Sequence, residues 1–142
     1  MRWTVKAGQL PSRLATGAYI LHTGTEKLSG DEQQAAMLHG MAADAYPFLK
    51  SIPPRRFLSL LAVGEIATGT MLLAPFVPAA LAGAALTAFS GGLVTLYLRT
   101  PALRKPNSIW PSQAGIAVSK DVWMLGIGLG LLADAAADRA KG

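Results

Sequence analysis

The residues whose types and positions could do chemistry are ionisable groups set among apolar runs. Glu65 lies near the middle of LSLLAVGEIATGTMLLAPF. A charge at a bilayer centre costs at least ~2.5–3.5 kcal/mol even on lenient insertion scales. Glu65 must therefore be protonated, paired or facing a cavity. Its partners should come from neighbouring segments. Glu26 and Lys27 end one of them, Ser119, Lys120 and Asp121 open another, and His22 lies at a depth comparable to Glu65. A Glu65–Lys27 or Glu65–Lys120 pair would offset much of the burial cost, since lysine stems bend toward a partner. Two chemistries fit the set Lys27, Glu65, Lys120, Asp121 and His22. In one, the set lines a pocket that handles protons or a polar headgroup, such as that of a quinone. In the other, it is an ion-pair lock that fixes helix register. The residue types leave both open.

Positioning these groups requires helices. The composition predicts an all-α chain: one domain over residues 1–142, folded as an integral membrane four-helix bundle. The spans are expected at about 11–28, 57–74, 79–98 and 121–137, each roughly the length of a bilayer core at helical rise. Pro53-Pro54 and Thr100-Pro101 interrupt the apolar runs, because the residue before a proline avoids helical geometry. The short link PFVP predicts an antiparallel hairpin between the second and third spans. Four crossings put both termini on one side, A, and the two long loops on the other, B. Lys27, Glu65, Lys120 and Asp121 then share the B half, with Glu65 about 12 Å deep. On the second span, Leu58, Ala62, Glu65, Thr68 and Gly69 share one face, whose small and polar members suit a bundle interior.

The first long loop carries a further candidate, an amphipathic interfacial helix at about 31–50, with Ser29 or Asp31 as cap and Leu38, Met41, Ala45, Phe48, Leu49 and Ile52 at helical spacing. Gly83, Thr87 and Gly91, and Gly126 and Gly130, recur every fourth residue, as backbones that pack closely in lipid do. Tyr97, Trp110 and Trp123 fall near the B boundary as belt residues, and Trp3 lies on side A. Lys and Arg number eight on side B and five on side A, or six against five with Lys27 and Lys120 internal, which does not fix orientation.

Composition narrows the function. Hydrophobic residues make up 51% and charged residues 15% of the chain, and mean hydropathy is +0.36. Soluble domains carry about 25% charged residues, so the balance points to a membrane. The net charge of +5 sits beside the apolar segments, which makes anionic lipid the expected neighbour and not nucleic acid. There is no cysteine, so no disulfide, thiol nucleophile or cysteine-held cluster. Two histidines are too few for a histidine-rich metal site, and no metal is expected. No nucleotide-binding glycine motif and no catalytic constellation is evident, and no cofactor beyond a quinone is indicated. MRWTVKAGQLPSR is basic without a signal-type apolar core, so the first internal span is expected to direct membrane insertion.

Three stretches resemble the DoxX family of small bacterial four-helix membrane proteins, in its actinobacterial form. RLATGAYILHTGTEKL resembles the first helix of that family, VGEIATGTMLLAPF the second with its embedded glutamate, and SKDVWMLGIGLGLL the Lys-Asp opening of the fourth. The Gly-rich third segment ending LYLRTP fits less specifically. The resemblance spans nearly the whole chain except the loop helix and the tails, and it implies a multi-pass protein of the bacterial cytoplasmic membrane. It further implies a subunit or anchor of a membrane-associated redox or oxidative-stress complex, with superoxide dismutase and sulfurtransferase as soluble partners. We read the chain as non-catalytic and organising such partners through Arg55, Arg56, Arg104 and Lys105. The alternatives are a quinone-linked oxidoreductase subunit using Glu65 for proton handling, helped by His22 or Lys27, and a small-molecule or proton transporter that would require a homo-oligomer.

Overall fold

A computed structural model describes residues 6–141. Five α-helices follow in order: α1 (Leu10–Leu28), α2 (Glu32–Ala45), α3 (Pro54–Leu73), α4 (Ala79–Arg99) and α5 (Ile116–Lys141). Short 3-10 turns flank them at Ala7–Gln9, Pro47–Ser51, Pro101–Leu103 and Gln113–Gly115. Among the described residues there is no strand, only an isolated antiparallel bridge between Arg104 and Pro111. Trp3 and Arg2 lie outside the described residues.

Prolines set the helix boundaries. Tyr46, Ile52, Ala74 and Thr100 each precede a proline, and each leaves helical geometry, with ψ of 86°, 128°, 116° and 97°. This corrects the loop helix expected over 31–50. It starts as read, with the Asp31 carboxylate accepting from the Gln34 N–H at 2.8 Å. It ends at Ala45 because Pro47 forces Tyr46 to φ −129°, and the chain continues as the 3-10 turn. Nor does α2 rest loosely beside the other helices. Ala35, Ala42, Ala43 and Ala45 are buried, and the helix packs on α3 and α4. The fourth expected span starts earlier than residue 121, at Ile116.

The closest pairings are α1 with α3 and α4 with α5, both antiparallel. The expected α3–α4 hairpin has its short turn, but the two helices pack on each other much less than on these partners. Glycines explain the pairings. A Cβ on Gly69 would meet the Leu21 amide nitrogen at 2.8 Å and the Gly17 carbonyl at 2.9 Å. One on Gly24 would meet the Glu65 Cβ at 3.0 Å. The α4–α5 seam uses Gly83 and Thr87 as expected, but against Gly128. The stripe Gly126 and Gly130 is corrected: nothing lies within 4 Å of a Cβ at either.

One core cluster joins the four long helices through Ile20, Leu72, Ala79, Ala82, Leu86, Met124 and Leu131. A second, of Ala42, Ala45, Leu96, Tyr97 and Leu103, lies under α2. Tyr97 is therefore a core residue and not a belt residue. Its hydroxyl donates to the Ile109 carbonyl at 2.6 Å and clamps the α4–α5 loop, while Trp110 and Trp123 are exposed. Large apolar side chains also point outward from every long helix, among them Leu14, Leu60, Val63, Leu81, Leu98 and Leu129. Among the described residues, α3 and α4 are long and apolar enough to cross a membrane.

Candidate functional site

The site grows from the α1–α3 seam. Leu58, Ala62, Glu65, Thr68, Gly69 and Leu72 form the buried face of α3, which contains all five residues grouped from spacing. Gly17, Ile20 and Gly24 form the facing stripe of α1. Their close approach brings the next residues on that stripe, Thr23 and Lys27, onto Glu65. The Lys27 ammonium lies 3.0 Å from Oε1 and 3.1 Å from Oε2 of Glu65. The Thr23 hydroxyl lies 3.0 Å from Glu65 Oε2 and 3.0 Å from the Ile20 carbonyl oxygen, so its single proton serves one acceptor at a time. The Glu65 side chain is 5% exposed and that of Lys27 18%. A carboxylate this deep is thus answered by one charge on a neighbouring helix, and the pair is close to neutral as a unit.

The other two members sit on α5. Lys120 Nζ stands 3.5 Å from Asp121 Oδ2 and 5.7 Å from the Tyr19 ring centroid. Asp121 is 1% exposed, and its Oδ1 has no hydrogen-bond donor among the described residues. Asp121 lies near enough to Glu65 and Lys27 to feel both charges. The structure therefore pairs Lys27 with Glu65 across α1 and α3, and sets Lys120 and the buried Asp121 on α5, where Lys120 faces Tyr19 of α1. Glu65 takes Lys27 as partner and not Lys120.

His22 is corrected. It shares the depth of Glu65 but not the direction: its ring lies 2.8 Å from the Glu26 carboxylate, four residues on, with both side chains about two-thirds exposed. It faces away from the cluster.

Two polar arrangements at the opposite end escaped the spacing. Arg13, one of the five basic residues counted on side A, is 1% exposed. Its Nε donates to the Leu72 carbonyl at 2.8 Å, and its Nη2 to those of Met71 and Ala74 at 2.8 and 3.1 Å. A helix end leaves such carbonyls without intrahelical partners, and Arg13 caps α3 from outside. Beside it, Lys6 reaches Asp138 at 2.6 Å and Asp134 at 3.2 Å, and the Gln9 amide also donates to Asp134. These bonds, to Asp138 first, raise the Lys6 ammonium above its ordinary pKa and tie the residues just before α1 to the last turns of α5. The only sequence signal was the pattern of acids one turn apart at Asp134 and Asp138.

Among the described residues no group of three or more His, Cys, Asp or Glu could hold a metal ion. Of the four basic residues expected to dock partners, Arg55 and Arg56 open α3 rather than lying in a loop; Arg55 donates to the Gly30 carbonyl at 2.5 Å and Arg104 to that of Ser108 at 3.0 Å, so both hold loops. Arg56 and Lys105 are exposed. No protein-family model, curated protein or solved structure matches the chain.

Proposed function

We propose that this chain is a DoxX-like integral protein of the bacterial cytoplasmic membrane, a non-catalytic subunit or anchor of a membrane-associated redox or oxidative-stress complex. In this reading α1, α3, α4 and α5 cross as a four-helix bundle, and α2 lies at the headgroup level on side B. The observation that carries it is the closed Lys27–Glu65 pair. Both carboxylate oxygens face one ammonium, inside a seam set by glycines. That geometry suits a lock between α1 and α3 better than a group that must exchange protons with a substrate. Outward apolar side chains on every long helix agree with a lipid surround. Soluble partners, a superoxide dismutase or a sulfurtransferase by resemblance, would dock on the exposed Arg56 and Lys105.

Extraction of the native protein in mild detergent, followed by mass spectrometry of what accompanies it, tests the reading. A stoichiometric oxidoreductase, lost when Arg56 and Lys105 are both changed to Gln, is the expected result. A chain that purifies alone contradicts the anchor role. A second reading, a quinone-linked proton-handling subunit, is favoured by one feature, the buried Asp121 Oδ1 without a donor. In that case Asp121→Asn abolishes quinone-dependent activity in a folded protein.

A further inference from the structure

We propose that the groove between α2, the Pro47–Ser51 turn, α3 and α4 holds one hydrocarbon chain of an anionic phospholipid, with its phosphate on Arg99. This rests on the membrane reading above and goes further, in naming a lipid retained at one place.

The groove follows from the packing. α3 and α4 share a short turn but pack sparsely, and α2 with its 3-10 turn wedges over them. A half-open cavity of about 290 Å³ is left, lined by Leu38, Met41, Leu49, Phe57, Phe89 and Leu93 among others. Its wall is almost wholly apolar, so water would find too few polar partners there. A hydrocarbon chain has no such need. The groove is also continuous with α3 and α4, the two helices apolar enough to meet lipid.

The headgroup is argued from charge. Tyr46 lines the groove, and the Arg99 guanidinium lies 5.6 Å from its ring centroid. Arg99 Nη1 donates to the Ala45 carbonyl at 3.0 Å. These contacts fix the guanidinium beside the groove, at the last residue of α4. One of its five N–H donors is used by Ala45, and the planar fork matches phosphate oxygens. Arg99 forms no ion pair among the described residues. Between residues 99 and 119 the chain carries Arg99, Arg104 and Lys105 and no acid, which favours an anionic over a zwitterionic lipid.

The test is native mass spectrometry of the full chain in mild detergent, titrated with phosphatidylglycerol and, separately, phosphatidylcholine of the same acyl chains. One phosphatidylglycerol per chain is expected, held about tenfold more tightly than phosphatidylcholine. Gly92 lines the groove, and a Cβ there meets nothing within 4 Å, so Gly92→Leu should fold and fill the cavity. It is expected to weaken retention of both lipids by about tenfold. Ala88→Phe, from an exposed lining position, serves as a second filling variant. Arg99→Gln should remove the preference for phosphatidylglycerol and leave the weaker binding. Equal binding of both lipids by the unaltered chain, or retention untouched in both filling variants, overturns the proposal. Failure of the membrane reading is seen separately: the chain would stay soluble without detergent and would not float with vesicles.

Discussion

Glu65 is the residue on which the α1–α3 seam turns. Changing it to Gln keeps its shape but strands the ammonium of Lys27, whose side chain is 18% exposed and forms no second ion pair among the described residues. Breaking a buried pair from one side is costly, and because Lys27 retains some solvent the expected loss is at the low end, about 3 kcal/mol. The double change Lys27→Met with Glu65→Leu should recover most of it, to within about 1 kcal/mol of the unaltered chain. Unfolding titrations in a mild detergent with added SDS measure both. A Glu65→Gln chain as stable as the unaltered one would mean that the pair locks nothing. Arg13 offers the same kind of test at the other end. Arg13→Ala removes three hydrogen bonds to the last carbonyls of α3 and should cost about 2–3 kcal/mol. Arg13→Lys should restore only part, because an ammonium lacks the fork that serves Leu72, Met71 and Ala74 together.

At the scale of the element, the glycines decide which helices meet. Gly69→Ala places a methyl group against the Leu21 amide and the Gly17 carbonyl, backbone atoms that cannot turn aside. The α1–α3 pair must spread, at an expected cost of about 1–3 kcal/mol. Gly126→Ala meets nothing within 4 Å and should be neutral or stabilising by up to about 1 kcal/mol, since Ala favours a helix over Gly. Thermal unfolding of the two variants side by side checks the contrast, and equal effects would contradict the assigned seams. The same elements show what a sequence reveals. Helix positions were legible because prolines act locally, on the residue just before them. The inward face of α3 was legible because its small and polar residues share one phase with Glu65. Phase against a partner helix was harder. His22 has the depth of Glu65, but Thr23 and Lys27 lie one residue off its phase and take the inward stripe with Gly17, Ile20 and Gly24. Read as a stripe rather than as a depth, those glycines would have turned His22 outward. Gly128 was missed beside Gly126 and Gly130 for the same reason. Arg13 was not legible at all, because its acceptors are the end of a helix some sixty residues on.

For the whole molecule the proposed membrane reading turns on how many helices cross. Among the described residues α3 and α4 alone pass as spans by length and apolarity, while α1 carries Arg13, His22, Glu26 and Lys27. Each has a partner within the fold: Arg13 the end carbonyls of α3, Lys27 the buried Glu65, and His22 and Glu26 each other on the exposed face. Paired in this way, α1 can cross beside α3, and α5 beside α4. The chain contains no cysteine, so single cysteines can be introduced against a blank background. The most direct measurement is labelling of Gly8→Cys, Ser51→Cys, Lys105→Cys and Ala140→Cys in sealed membranes with an impermeant maleimide; all four positions are exposed. Four crossings predict that Gly8 and Ala140 label from one side and Ser51 and Lys105 only from the other. If all four label from the same side, only α3 and α4 cross, and the buried cluster is no intramembrane lock.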